Sequence, residues 1–453
     1  MASILLLAHK KYFDFTLGSF LKNFHRVFFM TSDPMTGLFF ACQAEPIHEL
    51  FAIKPASDHP PLPASRLRAL KNTEAYATAD SPELKKAVER LCVAYFDHLT
   101  KFIDQNQIDL IITQDMPYLD VACATEVAIE RNIPVCYLGT GLFRRETMTV
   151  GFERLLPTDV QTWARRLANE AGRRTIEPVT IPATGENRIS PRKPSGLMTF
   201  LYSLRYLRNP RWTQTPPDQA PARTLLEEQK HKLRKKHSRK IPPEPQPALE
   251  KPFVLLTLQG NEICRQVENP LGIRDMEHLC ALIIPAIREI NAGASQPLAL
   301  IVKEHPNRAG VISAGFKERY PDVHFVTKTS IEPLLEQARL VITFNSLSGF
   351  EALQRYKPVV TLGPVFFAQP EICFPVATLE DLAATIKQAL AATVSRAAIG
   401  HLVAFLKRHF ELECPGFSRK NPSAAGLEMI ASKIEGGLRM AKHEPLHPES
   451  WTA

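Results

Sequence analysis

The feature that most constrains the fold of this chain is a repeated alternation of short apolar runs with amphipathic stretches of helical length. In the first third, apolar runs predict strands and the stretches between them predict helices. The strands are expected at 4–8, 26–31, 108–113 and 134–139, and the helices at 13–24, 82–105 and 119–132. Apolar runs of this length separated by helices are typical of βαβ units around a parallel sheet.

The same alternation returns after residue 253 and predicts a second parallel sheet. Its strands are expected at 253–258, 298–303, 323–326, 340–344 and 359–362, and its helices at 276–291, 331–337, 348–355 and 379–391. Between the two halves, at 158–252, prolines are dense and a basic run spans 230–240. That composition is typical of an interdomain insertion or linker.

The length of the chain fits this division. A chain of 453 residues exceeds what one hydrophobic core organises, so two domains are expected. The predicted fold class is α/β and GT-B-like, with two doubly wound, Rossmann-like domains facing a cleft. The predicted segments are 1–157 for the N-terminal domain, 158–252 for the insertion, 253–400 for the C-terminal domain and 401–453 for a helical tail.

Composition narrows the class of protein. No apolar run is long enough to cross a bilayer, and the apolar start is too short for a secretory signal, so a buried first strand is expected. The scattered cysteines fit a reducing cytoplasm, where the protein is expected to be located. The eight cysteines include no Cys-x-x-Cys pair, which argues against a zinc site or a disulfide framework; no metal is expected. A net charge of +8 suits an anionic partner.

Polar residues follow three predicted strands of the second domain. Ligands of open α/β sheets bind beyond the carboxyl ends of the strands, so these residues predict a nucleotide site. The candidates are Gln259, Lys303, His305, Pro306, Asn345, Ser346, Ser348, Gly349 and Glu351.

Each candidate has a functional and a structural interpretation. The His305 imidazole and the Lys303 ammonium suit a phosphate, and the N–H groups and hydroxyls around Ser346 and Ser348 suit a phosphate cradle. Glu351 suits ribose hydroxyls. The alternatives are a loop histidine before a proline turn, simple N-capping by the serines, and a glutamate that complements the helix dipole.

Taken together, these motifs resemble the capsule polysaccharide biosynthesis family. The resemblance is carried by Leu258-Gln259, His305-Pro306, the stretch 345–353 and the segment 357–363, and by segments 141–147 and 406–417, which are similar to that family's glycine-leucine-arginine segment and C-terminal tail. The best-understood members are retaining β-Kdo transferases, which use CMP-Kdo (Kdo is 3-deoxy-D-manno-octulosonic acid).

The resemblance implies an activity and a set of roles. The C-terminal domain would bind the nucleotide sugar, with His305 and the serines on the CMP phosphate, and the N-terminal domain would bind the acceptor. Retention implies a carboxylate nucleophile in the N-terminal domain. Asp115 is the first candidate, and Asp120 and Glu146 are its rivals; a cap or a salt bridge is the structural alternative for each.

The expected partners follow from this activity. They are a nucleotide-sugar donor, CMP-Kdo in the first instance, with no other cofactor, a glycan or glycolipid acceptor, and an anionic inner-membrane surface for the basic run. Two alternatives stay open. One is another enzyme of the same fold, a sugar-nucleotide 2-epimerase or a polyol-phosphate transferase. The other is a nucleic-acid-binding protein, which is disfavoured because the basic charge is confined to the linker.

Overall fold

We analysed a computed structural model of the chain. It describes residues 1–53, 61–77, 79, 81–143, 147–154, 251–261, 263–266, 269–305, 310–414 and 423–443, and isolated positions between 164 and 198. The predicted insertion at 158–252 therefore lies almost entirely outside the described residues.

The chain divides into two compact units. Unit 1 contains residues 1–154 together with the segment that begins at Leu406, and unit 2 contains residues 251–405. The C-terminal segment predicted as a helical tail thus contributes to unit 1, where it supplies one strand and one long helix.

Unit 1 is built on a seven-stranded sheet. Its strands are β1 (Ser3–Leu7), β2 (Arg26–Thr31), β3 (His48–Glu49), β4 (Leu110–Gln114), β5 (Val135–Thr140), β6 (Thr147–Gly151) and β13 (Glu411–Glu413). The order is β13-β6-β5-β4-β1-β2-β3; β3, β2, β1, β4 and β5 are parallel, whereas β6 and β13 are antiparallel to their neighbours. The parallel strands have Rossmann-like order, and the order reverses between β1 and β4.

Helices cover the sheet of unit 1. They are α1 (Lys11–Leu21), α2 (Pro34–Cys42), α3 (Ala64–Lys71), α4 (Glu74–Ala77), α5 (Pro82–Asn106), α6 (Leu119–Glu130) and α14 (Ala424–His443), with a 3-10 turn at Leu50–Ala52. Along β1, Ile4 and Leu6 enter one hydrophobic cluster while Leu5 and Leu7 enter the other, on the opposite face. This explains why the strand is apolar at every position, since a parallel strand with both faces covered has no solvent side.

Unit 2 is built on a six-stranded, fully parallel sheet. Its strands are β7 (Phe253–Thr257), β8 (Ala299–Lys303), β9 (His324–Val326), β10 (Leu340–Thr343), β11 (Val359–Thr361) and β12 (Phe374–Pro375). The order is β12-β11-β10-β7-β8-β9, so the reversal of strand order falls between β7 and β10. Its helices are α7 (Ile263–Gln266), α8 (Met276–Asn291), α9 (Ala314–Glu318), α10 (Ile331–Gln337), α11 (Leu347–Leu353), α12 (Leu382–Ala391) and α13 (Arg396–His409), of which the last four residues belong to unit 1.

The α/β, Rossmann-like character of the predicted fold is confirmed by the two sheets. Both units are Rossmann-like α/β structures, and the spans predicted for β2, α8 and α10 agree with the structure at both ends. In the described part of the chain no single helix is long and apolar enough to span a membrane; α12 and α13 satisfy that criterion only as a pair bent by 101°.

Candidate functional site

The three polar clusters predicted in the second domain follow neighbouring strands of one sheet. Thr257 at the end of β7 is paired with Lys303 of β8 on one side and with Thr343 of β10 on the other. The loops that carry Gln259, His305 and Asn345 therefore begin at the same level of the sheet. Their shared edge includes the reversal of strand order between β7 and β10, where doubly wound folds bind ligands.

The first turn of α11 is fixed directly to this reversal point. Ser348 Oγ donates a hydrogen bond to Thr257 Oγ1 at 2.7 Å, and both side chains are buried. Ser346 is the N-cap, since its Oγ accepts from the N–H of Ser348 at 3.3 Å, while the N–H of Gly349 donates to the Ser346 carbonyl. The capping interpretation of the serines is thus realised, and a phosphate at this turn stays a prediction.

Gly349 is the residue that allows α11 to lie so close to the sheet. A Cβ at this position would lie 2.8 Å from Cζ of Phe367 and 3.1 Å from Cγ2 of Thr343. The Phe367 ring has no exposed surface and packs edge-on against Phe366, with ring centroids 5.1 Å apart. The two phenylalanines are therefore core residues that shape the site from beneath.

Two side-chain amides beside the reversal point each hold a buried oxygen that accepts no hydrogen bond from the described residues. They are Gln259, after β7, and Asn345, after β10. A buried acceptor without a donor costs about 1–3 kcal/mol, so such groups mark places where a ligand supplies the missing donor. Ribose hydroxyls and base amino groups are donors of this kind. Glu351, one turn into α11, is 7% exposed and adds a buried carboxylate to the same helix.

The loop after β8 is held by two buried charged residues. The Lys303 ammonium donates to the carbonyl oxygens of Glu304 at 2.9 Å and Thr327 at 2.7 Å, and the Glu304 carboxylate pairs with Lys317 and accepts from the N–H of Gly310 at 3.0 Å. Lys303 thus binds the backbone of its own loop and of the neighbouring loop after β9. His305 follows as an exposed residue, and Pro306 lies outside the described residues.

In unit 1, the first nucleophile candidate lies at the carboxyl end of β4. Asp115 is 8% exposed, and its Oδ1 is 3.0 Å from Nε of Arg154. Nη2 of Arg154 also donates to the carbonyl of Met116 at 3.1 Å, so one guanidinium holds both the carboxylate and the following loop. The salt-bridge alternative for Asp115 is present, and its catalytic role stays a prediction.

Asp120, the first rival, is fully buried at the start of α6. Its Oδ2 accepts from Ser32 Oγ at 2.8 Å and lies 3.5 Å from Nε2 of His9. The His9 ring packs against Tyr118 with centroids 4.9 Å apart, and burial raises the pKa of Tyr118 to about 12. A carboxylate with no exposed surface and two polar neighbours is suited to orient another group. Glu146, the second rival, lies outside the described residues.

The carboxylate of Asp14 forms hydrogen bonds with residues at the carboxyl ends of both β1 and β4. Oδ2 of Asp14 accepts from the backbone N–H of His9 at 2.8 Å, and Oδ1 accepts from Nε2 of Gln114 at 3.1 Å. Burial raises the pKa of Asp14 to about 6, although its hydrogen bonds oppose this shift. His9, Asp14 and Gln114 were not among the predicted site residues. The available signal was positional, because His9 follows the first apolar run by one residue and Gln114 precedes Asp115.

The loop after β5 is held by the C-terminal segment of the chain. The Glu411 carboxylate accepts from the N–H of Leu142 at 3.0 Å, and the Lys433 ammonium lies 3.3 Å from the Glu411 carbonyl. Burial raises the pKa of Glu411 to about 7 and lowers that of Lys433 to about 8. Across the described ranges, no cluster of three or more His, Cys, Asp or Glu residues is arranged to hold a metal ion.

Comparison with known proteins identifies the segment that contains the candidate site of unit 2. Residues 222–399 match the model of a family described as "Capsule polysaccharide biosynthesis protein". This segment is similar to that family and contains the motifs at 258–259, 305–306 and 345–353. The protein FixF of Sinorhizobium fredii is 38% identical over 76 residues, which are 16% of this chain and 18% of FixF. The match thus spans less than a fifth of that relative.

Solved structures of several glycan-processing enzymes are similar to this chain at low identity. The β-Kdo 2,7 transferase KpsC of Thermosulfurimonas dismutans is 12% identical, with a TM-score of 0.37, over 75% of this chain and 89% of that one. A UDP-GlcNAc 2-epimerase of Neisseria meningitidis bound to UDP-GlcNAc is 11% identical, with a TM-score of 0.35, over 98% of this chain and 100% of the other. The strand orders of the two sheets, and not these similarities, establish the fold.

Proposed function

We propose that this protein is a glycosyltransferase of cell-envelope, capsule-type polysaccharide biosynthesis, and that unit 2 binds its nucleotide-sugar donor. The family match over residues 222–399 supports the activity class. The observation that carries the site is the pair of buried amide oxygens, of Gln259 and Asn345, on the two loops beside the strand reversal. A nucleotide sugar has the chemistry to complete this site, since its sugar and base supply hydrogen-bond donors.

The donor is proposed to be CMP-Kdo or a related acidic sugar linked to CMP. The resemblance to β-Kdo transferases supports this donor, and so does the net charge of +8, which favours an anionic ligand. His305 is proposed to donate to the donor phosphate, with Ser346 beside it. Lys303 has less scope for that role, because its ammonium already binds two carbonyl oxygens.

Transfer is proposed to retain the configuration of the sugar. A carboxylate of unit 1 would then attack the anomeric carbon and be displaced by the acceptor hydroxyl. Asp115 remains the proposed nucleophile, because it ends a strand at the switch point of its sheet and Arg154 holds its carboxylate in a fixed orientation. The proposed acceptor is a glycan or glycolipid, and an anionic membrane surface is a further proposed partner.

The binding site is tested by calorimetry of CMP with two variants and a matched control. Gln259→Ala and Asn345→Ala each remove an acceptor and should lower CMP affinity about five- to tenfold, since a typical hydrogen bond contributes about 1 kcal/mol. Asn291→Ala is the control. Its amide binds both backbone polar groups of Leu298, just before β8 and so at the opposite edge of the sheet.

The expected result separates binding from stability. Asn291→Ala should lower the melting temperature and leave CMP affinity unchanged. CMP binding that survives both Gln259→Ala and Asn345→Ala without loss would refute the assigned site. Binding of UDP in preference to CMP would retain the site and discard the proposed donor, favouring the epimerase alternative.

A further inference from the structure

Beside the strand reversal of unit 1 lies an imidazole–carboxylate pair that the proposed function has not yet used. Nε2 of His9 is 3.5 Å from Oδ2 of Asp120, and the two side chains are 5% and 0% exposed. His9 follows β1, and Asp120 lies at the start of α6, the helix that follows β4. The order of the sheet reverses between β1 and β4. The pair is thus located where a doubly wound unit binds its ligand.

Three further contacts fix this pair in place. Ser32 Oγ donates to the same Asp120 oxygen at 2.8 Å, and the ring of Tyr118 packs against the imidazole. The Asp14 carboxylate also accepts hydrogen bonds from the backbone N–H groups of His9 at 2.8 Å and Lys10 at 2.5 Å. A catalytic group needs such support, because a small error in its position costs much of its effect.

The orientation of the ring determines which nitrogen is available. Nε2 is the ring nitrogen nearer to Asp120: it lies 3.5 Å from Oδ2, although the two atoms do not form a hydrogen bond. A proton on Nε2 suits this carboxylate neighbour, and in that neutral tautomer the lone pair lies on Nδ1. Among the described residues, His9 contacts Asp14 through its backbone N–H, the Tyr118 ring and Asp120, and none of these contacts occupies Nδ1. An imidazole with one nitrogen on a buried carboxylate and the other unoccupied is equipped to accept a proton.

We propose that His9 is the proton-transfer residue of this enzyme and that Asp120 is its positioning residue. The inference rests on the proposed glycosyltransferase function. As the acceptor oxygen forms its bond to the anomeric carbon, Nδ1 of His9 takes the hydroxyl proton. The bond from that carbon to the departing oxygen breaks, and its electron pair stays on that oxygen. In the proposed double displacement this departing oxygen belongs to the Asp115 carboxylate, which is thereby regenerated.

The Asp120 carboxylate stabilises the imidazolium that forms, after which His9 releases its proton to water. This assignment also explains why Asp120 is a poor nucleophile, since it has no exposed surface from which to attack a sugar. The ionisable side chains that face His9 are Asp14 on α1, Asp120 on α6 and the phenol of Tyr118.

The test uses the full chain, CMP-Kdo generated in situ and a glycan acceptor, with turnover measured as CMP release. His9→Ala should lower the turnover rate about 10²- to 10⁴-fold, the usual loss for a general base. CMP affinity should stay unchanged, because His9 belongs to the other unit. Added imidazole should restore turnover at least tenfold, a result that a purely structural role would not give.

The matched control is His25→Ala. His25 is a similarly buried histidine of the same unit, it pairs with the Glu435 carboxylate, and it precedes β2 at the opposite edge of the sheet. This variant should lose stability but keep its turnover per folded molecule, without any response to imidazole. Asp120→Asn should slow turnover without changing CMP affinity, because the imidazole loses the carboxylate that positions it. Added imidazole should not restore this variant, because His9 is still present.

The outcomes separate the two proposals. If the wild-type protein turns over no nucleotide sugar, the proposed function fails and this inference fails with it. If the wild type is active and His9→Ala equals it, only the inference about His9 fails. The inference is also overturned if His9→Ala is inactive and added imidazole does not restore its turnover.

Discussion

Replacing Gly349 by alanine tests whether the close approach of α11 to its sheet forms the donor site. The new Cβ would lie 2.8 Å and 3.0 Å from two ring carbons of Phe367 and 3.1 Å from Cγ2 of Thr343, all closer than ordinary van der Waals contact. The ring cannot move outward, because Phe367 has no exposed surface and packs against Phe350 and Phe366. The strain must therefore displace the start of α11.

The magnitude follows from two opposing contributions. Overpacking of a dense core costs about 1–3 kcal/mol, whereas alanine in a helix gains roughly 0.5–1 kcal/mol over glycine. A net loss of about 1–2 kcal/mol lowers the melting temperature of a domain this size by roughly 2–8 °C. Because Ser346 and Ser348 move with the helix, CMP affinity should fall as well.

Gly315→Ala is the matched control, measured by the same thermal unfolding and calorimetry. Gly315 lies in α9 of the same unit, and a Cβ there would have no neighbour within 4 Å. This variant should be as stable as the wild type or slightly more stable, with unchanged CMP affinity. The reasoning would be refuted if Gly349→Ala matched Gly315→Ala in both stability and affinity.

Two further predictions concern buried charges. Burial raises the pKa of Glu411 to about 7, so the folded protein holds a proton that the unfolded chain loses near pH 4.5. The free energy of unfolding is therefore higher at low pH, and it falls by up to about 1.4 kcal/mol per pH unit as the pH rises toward 7. Glu411→Gln should remove that decline, as unfolding midpoints from pH 4.5 to 7 would show; an unchanged profile would contradict the pKa. Lys303→Met removes the hydrogen-bond donor of two carbonyl groups, so it should lower the melting temperature while changing CMP affinity little. The control Lys387→Met breaks an exposed pair with Glu289 and should change neither quantity. A fall in CMP affinity alone would instead support a phosphate contact for Lys303.

The sequence predicts the central strands and long helices of this chain well, for a physical reason. Strands buried on both faces are apolar, as at 4–7 in β1. A long helix such as Met276–Asn291 begins after a capping aspartate, Asp275, whose side chain accepts from the N–H of His278. The helix Pro34–Cys42 was missed because its residues are almost all apolar and show no helical period. The strand Glu411–Glu413 was missed because it is three residues long and pairs with Thr147–Gly151, far away in the chain.

Some residues of the candidate site can likewise be predicted from the sequence, whereas others become evident only from the structure. Polar residues just beyond strands, such as Gln259 and Asn345, are visible in the sequence because each follows an apolar run. The pairing of His9 with Asp120 joins residues 111 positions apart and depends on β1 lying beside β4. Likewise, the engagement of Lys303 with backbone carbonyls depends on the neighbouring loop that carries Thr327. Such partners become evident only once strand order and register are known.

The central claim is that this protein transfers a sugar from a nucleotide donor, and the most direct measurement follows the donor itself. The purified protein is incubated with CMP-Kdo generated in situ, and in parallel with UDP- and CDP-linked sugars, in the presence of a glycan acceptor. Nucleotide release is quantified, and the anomeric configuration of the product is determined by NMR. The account predicts CMP release that depends on the acceptor, with a product of retained configuration. An inverted product would contradict the double displacement at Asp115, and a donor that is epimerised without transfer, or no turnover of any nucleotide sugar, would contradict the claim as a whole.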